Sequence, residues 1–233
     1  MSSSRLKALI ICVAAIMTAI MSTHAQSAPY KFDIGAELGA SGYIGDANTA
    51  NLMKHPGFDG ELSFRYIPNT RWAFRGVLSM LTLSGSTADL DETLPSTITE
   101  PIDFSSTVYD LGARVEFNFF SYGIGETYKR LRRWSPYLTL GIGVCLSSSG
   151  GTTSAAPTLP MGAGIKFKLR ERINLGVEFT MTKAFGDKID GPVLNDLNGI
   201  KTAFYRNTDW FSRLTIGISY EFGKRCETCH YVD

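Results

Sequence analysis

Eight stretches of two-residue alternation run along this chain, and they constrain its fold more than any other feature. Phe58, Gly60, Leu62, Phe64 and Tyr66 alternate with Asp59, Glu61, Ser63 and Arg65. Tyr109 to Phe119, Ile173 to Met181 and Leu214 to Phe222 repeat the pattern, with Arg114, Glu116, Glu178 and Arg213 on the opposite parity. Successive side chains of a strand point to opposite faces, so each stretch presents one apolar and one polar face. The stretches fall at about 30–44, 57–67, 72–85, 107–120, 134–146, 158–169, 172–186 and 209–222. Most are 11 to 15 residues long. Soluble strands run about 5–6 residues, whereas a tilted membrane-spanning strand needs about 9–11.

The connections alternate in length. Ile67–Arg71, built on Pro68-Asn69, and Leu169–Arg172 are tight turns, whereas 45–56, 86–106, 147–157 and 187–208 are longer and rich in turn residues. Short turns at one end and long loops at the other fit an outer-membrane barrel. Aromatic residues gather at strand ends. Tyr66, Trp72, Phe74, Phe117, Phe119, Trp134, Phe167, Tyr220 and Phe222 would line the turn-end rim, and Tyr43, Phe58, Phe185 and Trp210 the loop-end rim. The expected fold is all-β: an eight-stranded antiparallel up-and-down transmembrane β-barrel. A soluble β-sandwich shares the alternation but calls for shorter strands and fewer rim aromatics.

Residues 1–25 read as a secretory signal peptide: Arg5 and Lys7, an apolar run from Ala8 to Met21, and a small-x-small site at Thr23, His24 and Ala25. That run is too short to span a membrane, and Cys12 lacks the small residues that a lipid-anchor site needs before it. Residues 26–222 then form the barrel and 223–233 a periplasmic tail. With 23 basic and 22 acidic side chains, nothing suggests nucleic acid or another polyanion recognised by bulk charge. The even strand number puts both mature termini in the periplasm.

If the apolar face meets lipid, Asp33, Glu37, Glu61, Arg65, Arg75, Asp110, Arg114, Glu116, Lys166, Lys168, Glu178, Arg213 and Glu221 fill the lumen. Eight strands enclose just enough room for side chains, so these charges should pair into a plug rather than line a channel. Gly141, Gly143, Gly162 and Gly164 fall inside strands, where they make room for large lumen side chains.

Chemistry finds little support. The mature chain has His55 in a loop and His230 in the tail, with no His on any predicted strand, and no G-x-S-x-G or Walker loop. A Ser-His-Glu enzyme would have to recruit His55. The expectation is a non-catalytic protein without metal or cofactor. Cys226-Glu-Thr-Cys229-His230 matches the c-type haem pattern, but eleven residues past the last strand cannot bury a haem, and three N/S ligands fall short of a structural zinc site. In an oxidising compartment Cys226 and Cys229 more readily bridge each other or a partner, while Cys145, far from the tail, should be a packed thiol. Connection 121–133 is the one long segment at the turn end. It carries Tyr128, Lys129, Arg130, Arg132 and Arg133, a basic cluster suited to docking a partner or touching anionic headgroups.

Several blocks resemble a known family. Ile34-Gly-Ala-Glu-Leu-Gly39 with Gly42-Tyr-Ile-Gly-Asp46, Asn69-Thr-Arg-Trp-Ala-Phe-Arg75, Tyr109 to Asn118, Pro136 to Gly143, Asn174-Leu-Gly-Val-Glu178 and Asn207-Thr-Asp-Trp210 are similar, in order, to the PorG-like outer-membrane barrels of Bacteroidota. Thr215, Gly217, Tyr220 and Phe222 resemble an outer-membrane insertion signal, here internal. The resemblance implies a non-catalytic component of the type IX secretion machinery that contacts a periplasmic ring lipoprotein and its partner subunit. The rival expectation is a free-standing, OmpX-like adhesin or protective barrel acting through its surface loops.

Overall fold

The computed structural model describes residues 30–44, 55–86, 103–123, 131–149, 152–185 and 210–224. They form eight strands: β1 (Tyr30–Ile44), β2 (Gly57–Tyr66), β3 (Trp72–Ser86), β4 (Asp103–Asn118), β5 (Trp134–Ser149), β6 (Thr152–Lys168), β7 (Ile173–Ala184) and β8 (Trp210–Lys224). Each strand pairs antiparallel with its sequence neighbours, and β1 pairs with β8 from Tyr30↔Lys224 to Ile44↔Trp210, closing the barrel. Closure removes every sheet edge along the shared length.

The alternation sorts as its chemistry requires. Ile34, Leu38, Leu62, Leu78, Leu140, Ile165, Ile216 and Ile218 point outward and are exposed, Leu111 by 65% and Ile142 by 70%. No water-soluble sandwich shows its largest aliphatic side chains in a continuous belt, whereas lipid is the solvent such a belt matches. At the turn end the belt finishes in packed rings. Phe32 lies 5.7 Å from both Phe64 and Phe222 and 5.8 Å from Tyr66, and Trp72, Phe117 and Phe119 form a second group. The turn at Pro68-Asn69 is held by the Asn69 side-chain oxygen, which accepts from the N–H groups of Arg71 and Trp72 at 2.9 and 2.8 Å.

Two expectations are corrected. The segment 147–157 is not a long loop. β5 and β6 stay paired through Val144↔Pro157, Cys145↔Ala156 and Ser149↔Thr152, leaving only Gly150 and Gly151 between them. Its Ser, Thr and Ala residues carry no apolar period, yet they pair across strands well, and Gly-Gly is a hairpin signal. Tyr43 does not join the loop-end aromatic rim. It shares the parity of Glu37 and Ser41, points inward, and is buried. Phe58 and the pair Phe185 and Trp210, with Lys183 Nζ 5.6 and 5.3 Å from their rings, do mark that rim.

Tyr43 belongs to a buried apolar layer with Leu81, Leu83, Val108, Cys145, Ala156, Ala184 and Phe211. These residues occupy the lumen at the loop end, where the outward positions become polar: Thr82, Thr107, Ser148 and Thr153. The strands are thus apolar-out and polar-in along most of their length, then invert to polar-out and apolar-in. The inversion marks where lipid gives way to water as the outer solvent.

Candidate functional site: the lumen and its floor

All the charged residues expected inside the barrel are there, and they are paired. Glu178 sits at the hub. It accepts both hydrogen bonds of the Arg75 Nη2 group at 2.6 and 2.7 Å, one from Arg114 at 3.1 Å, one from the Tyr137 hydroxyl at 2.6 Å and one from Thr180 at 2.8 Å. Glu116 accepts from Arg65 Nε at 2.8 Å and from Lys166 at 3.1 Å. Arg65 also donates to Asp33 at 2.8 Å, and Lys168 pairs with Glu221 at 2.6 Å. Toward the loop end, Arg213 grips Asp59 with two bonds of 2.8 and 3.0 Å and reaches Glu61 at 2.7 Å. Buried charges persist only when paired in this way.

The described lumen therefore reads as a solid plug in layers. Apolar side chains fill the loop end, the ion-pair network the middle, and hydrogen-bonded polar groups the turn end. A cavity of about 40 Å³ lies under the network, between Asp33, Arg65, Lys166, Asn174 and Tyr122. It is large enough for a few waters. Gly164 in β6 shows how tightly the plug is fitted: a Cβ there would lie 2.6 Å from the Tyr137 ring and hydroxyl.

The floor of the lumen comes from the β4–β5 connection. Tyr122 is buried and donates its hydroxyl to Asn174 Oδ1 at 2.8 Å. Its ring receives Lys166 and Lys168 at 5.4 and 5.2 Å. Burial raises the Tyr122 hydroxyl pKa well above its ordinary value, so it stays a neutral donor. Gly123 N–H donates to Arg132 O at 3.0 Å and Arg132 N–H to Ser121 O at 2.8 Å, so both ends of the connection are tied together under the barrel.

Of the expected partner-binding residues, Arg132 and Arg133 are described and exposed beside this floor. Arg132 stacks 4.3 Å over the Phe120 ring, and the Arg133 carbonyl accepts Lys168 N–H at 2.7 Å. Tyr128, Lys129, Arg130, Cys226 and Cys229 lie outside the described residues. His55 precedes β2 in the loop-end connection, and among the described residues no three His, Cys, Asp or Glu side chains form a metal-binding group. Sequence reasoning missed Asp59, Tyr137, Asn174 and Tyr122. Asp59 shares the parity of Glu61, which was signal enough. Tyr122 lies outside every alternating segment and gave none.

A second cluster lies at the β6–β7 turn. Tyr30 donates to Glu171 at 2.5 Å, and Arg172 donates to the hydroxyls of Tyr30 and Tyr220 at 3.2 and 3.0 Å. The Tyr30 hydrogen bond, with Lys224 and Arg172 nearby, lowers the Glu171 pKa.

Comparison with known proteins agrees with the fold. A family profile described as a domain of unknown function, DUF6089, matches residues 7–231. Neisserial surface protein A is similar at 15% identity, over 82% of this chain and 97% of that one, with a TM-score of 0.52. Ail, the attachment invasion locus protein of Yersinia pestis, shares 18% identity over 84% and 100% of the two chains, TM-score 0.46. The outer membrane protein OprG from Pseudomonas aeruginosa shares 13% over 85% and 99%, TM-score 0.45. Neisserial surface protein A supports the eight-stranded outer-membrane barrel fold and, at this identity, nothing finer. No curated protein sequence matches.

Proposed function

The chain belongs to the DUF6089 family, and from that premise, its barrel fold and its plugged lumen we propose that it is a non-catalytic anchor in the outer membrane. In this reading it fixes periplasmic ring subunits, among them a lipoprotein, to the membrane as part of a type IX-like secretion complex. The turn end and both termini face the periplasm. The β4–β5 connection supplies the contact, through Tyr128, Lys129, Arg130, Arg132 and Arg133, with Cys226 and Cys229 in the tail as the covalent option.

The observation that carries the reading is the lumen floor. Tyr122 pins the start of the connection to Asn174 inside the barrel and Arg132 N–H bonds Ser121 O, so the exposed Arg132 and Arg133 project from a fixed base. A preorganised surface loses less entropy on docking. The packed lumen supports a role in holding rather than conducting.

The test is a pull-down of tagged protein from outer membranes in mild detergent, with and without reductant. Co-purification of a periplasmic lipoprotein, lost in Arg132→Glu/Arg133→Glu, is the expected result, and a reductant-sensitive band would locate the link at Cys226 or Cys229. A lone monomer would overturn the anchor. It would move the reading to a free-standing barrel acting through its loops, which the inverted, water-facing extension of β3–β6 favours.

A further inference from the structure

The barrel's turn end carries a second basic cluster, beside the β4–β5 connection. Lys31 on β1, Lys224 on β8, and Arg170 and Arg172 in the β6–β7 turn stand at the ends of adjacent strands, since β7 pairs with β8 and β8 with β1. Tyr30 pairs with Lys224, and its ring lies 5.3 Å from the Arg172 guanidinium. Gly223, at φ +73°, has no room for a side chain: a Cβ there would lie 2.9 Å from the Phe32 ring and 3.8 Å from Lys31 Cβ. Lys31, Arg170 and Lys224 are exposed, and Arg172 is half-buried. One carboxylate, Glu171, shares the site and is held by the Tyr30 hydroxyl.

Depth decides what this cluster faces. Tyr220 and Phe222 point outward with Phe32, Phe64 and Tyr66, in the aromatic group that closes the lipid belt. Aromatic girdles sit at headgroup level. Arg172 bonds the hydroxyl of lipid-facing Tyr220, so its guanidinium lies at the outer rim of the barrel, where phosphates of the adjoining leaflet run. Two tyrosine hydroxyls engage its Nε and Nη1, which orients the fork before any ligand arrives.

We propose that Lys31, Arg170, Arg172 and Lys224 form a binding site for the headgroup of an anionic phospholipid in the leaflet at the turn end, with the Phe32–Phe64–Phe222 slab receiving the upper acyl chains. Among the described residues, four cations against one carboxylate leave a positive site, and each basic side chain at a membrane surface adds to anionic-lipid attraction. The site does not depend on any protein partner.

The test is native mass spectrometry of the purified barrel in mild detergent, offered phosphatidylglycerol and phosphatidylcholine of identical acyl chains. The wild type retains the anionic lipid in preference by about tenfold. Lys31→Gln/Arg170→Gln/Arg172→Gln/Lys224→Gln loses the preference, and Arg71→Gln, in the β2–β3 turn, keeps it. The wild type alone gives a second readout: raising salt from about 50 to about 500 mM collapses the preference, because such charges are screened. Equal retention of the two lipids, an unaffected quadruple variant, or an equal loss in Arg71→Gln overturns the site. Displacement of the lipid by millimolar inorganic phosphate would overturn it in favour of a free-anion site. No partner is present in these experiments, so their failure and a failed pull-down are distinguishable.

Discussion

Arg213 offers the sharpest test of the lumen. It is essentially inaccessible to solvent and satisfies Asp59 through two hydrogen bonds and Glu61 through a third. Arg213→Met keeps most of the side-chain volume but leaves two buried carboxylates without their main cation. Removing one partner of a buried pair costs about 3–5 kcal/mol. Asp59→Asn removes one acceptor and leaves Arg213 with Glu61, at a cost of about 1.5–3 kcal/mol, the worth of a hydrogen bond to a charged group. In the double variant the uncompensated charge at Asp59 is gone, so the two costs should fail to add by about 1–3 kcal/mol. The assay is reversible urea unfolding in lipid vesicles, followed by the fluorescence of Trp72, Trp134 and Trp210. If Arg213→Met unfolds within about 1 kcal/mol of the wild type, water solvates these carboxylates, and the lumen is a wet channel rather than a desolvated network.

Planar-bilayer recording should show no steady conductance for the wild-type protein, and a persistent open level of porin size would refute the plug. Tyr122→Phe leaves Asn174 Oδ1 buried without its donor and should cost about 1–3 kcal/mol, read by the same unfolding assay. Gly164→Ala places a methyl 2.6 Å from the Tyr137 ring and hydroxyl and 2.7 Å from the Val177 carbonyl oxygen, and should cost about 1–3 kcal/mol in the same unfolding assay. Glu171 has a lowered folded-state pKa, so its contribution is present above the ordinary value of 4.5 and is lost as pH falls through the folded value. Tyr30→Phe should shift the Glu171 carboxyl titration upward by NMR, and an unchanged midpoint would show that the Tyr30 bond is not its main cause.

Alternation such as that of Phe58 to Tyr66 and Ile173 to Met181, repeated in eight segments, determined strand number, facing and which charged side chains enter the lumen. Period two is a local property, and one face had to meet lipid. Asp59 shows that this reading could have gone further, since its parity with Glu61 already placed it inside. Tyr43 could likewise have been assigned inward by its parity with Glu37, had aromatic character not argued for the rim. The Ser/Thr-rich ends of β5 and β6 escaped because an extension beyond the membrane carries no apolar stripe for periodicity to find. What only the tertiary structure decided is which charges meet. Arg213 finds Asp59 across 154 positions, and Arg75 finds Glu178 across 103. Those pairings depend on barrel closure and strand stagger, which set the height of each side chain in the lumen. The floor at Tyr122 and the basic cluster around Arg172 arise in the same way. They join residues from separate strand ends that only the closed ring brings to one side of the membrane.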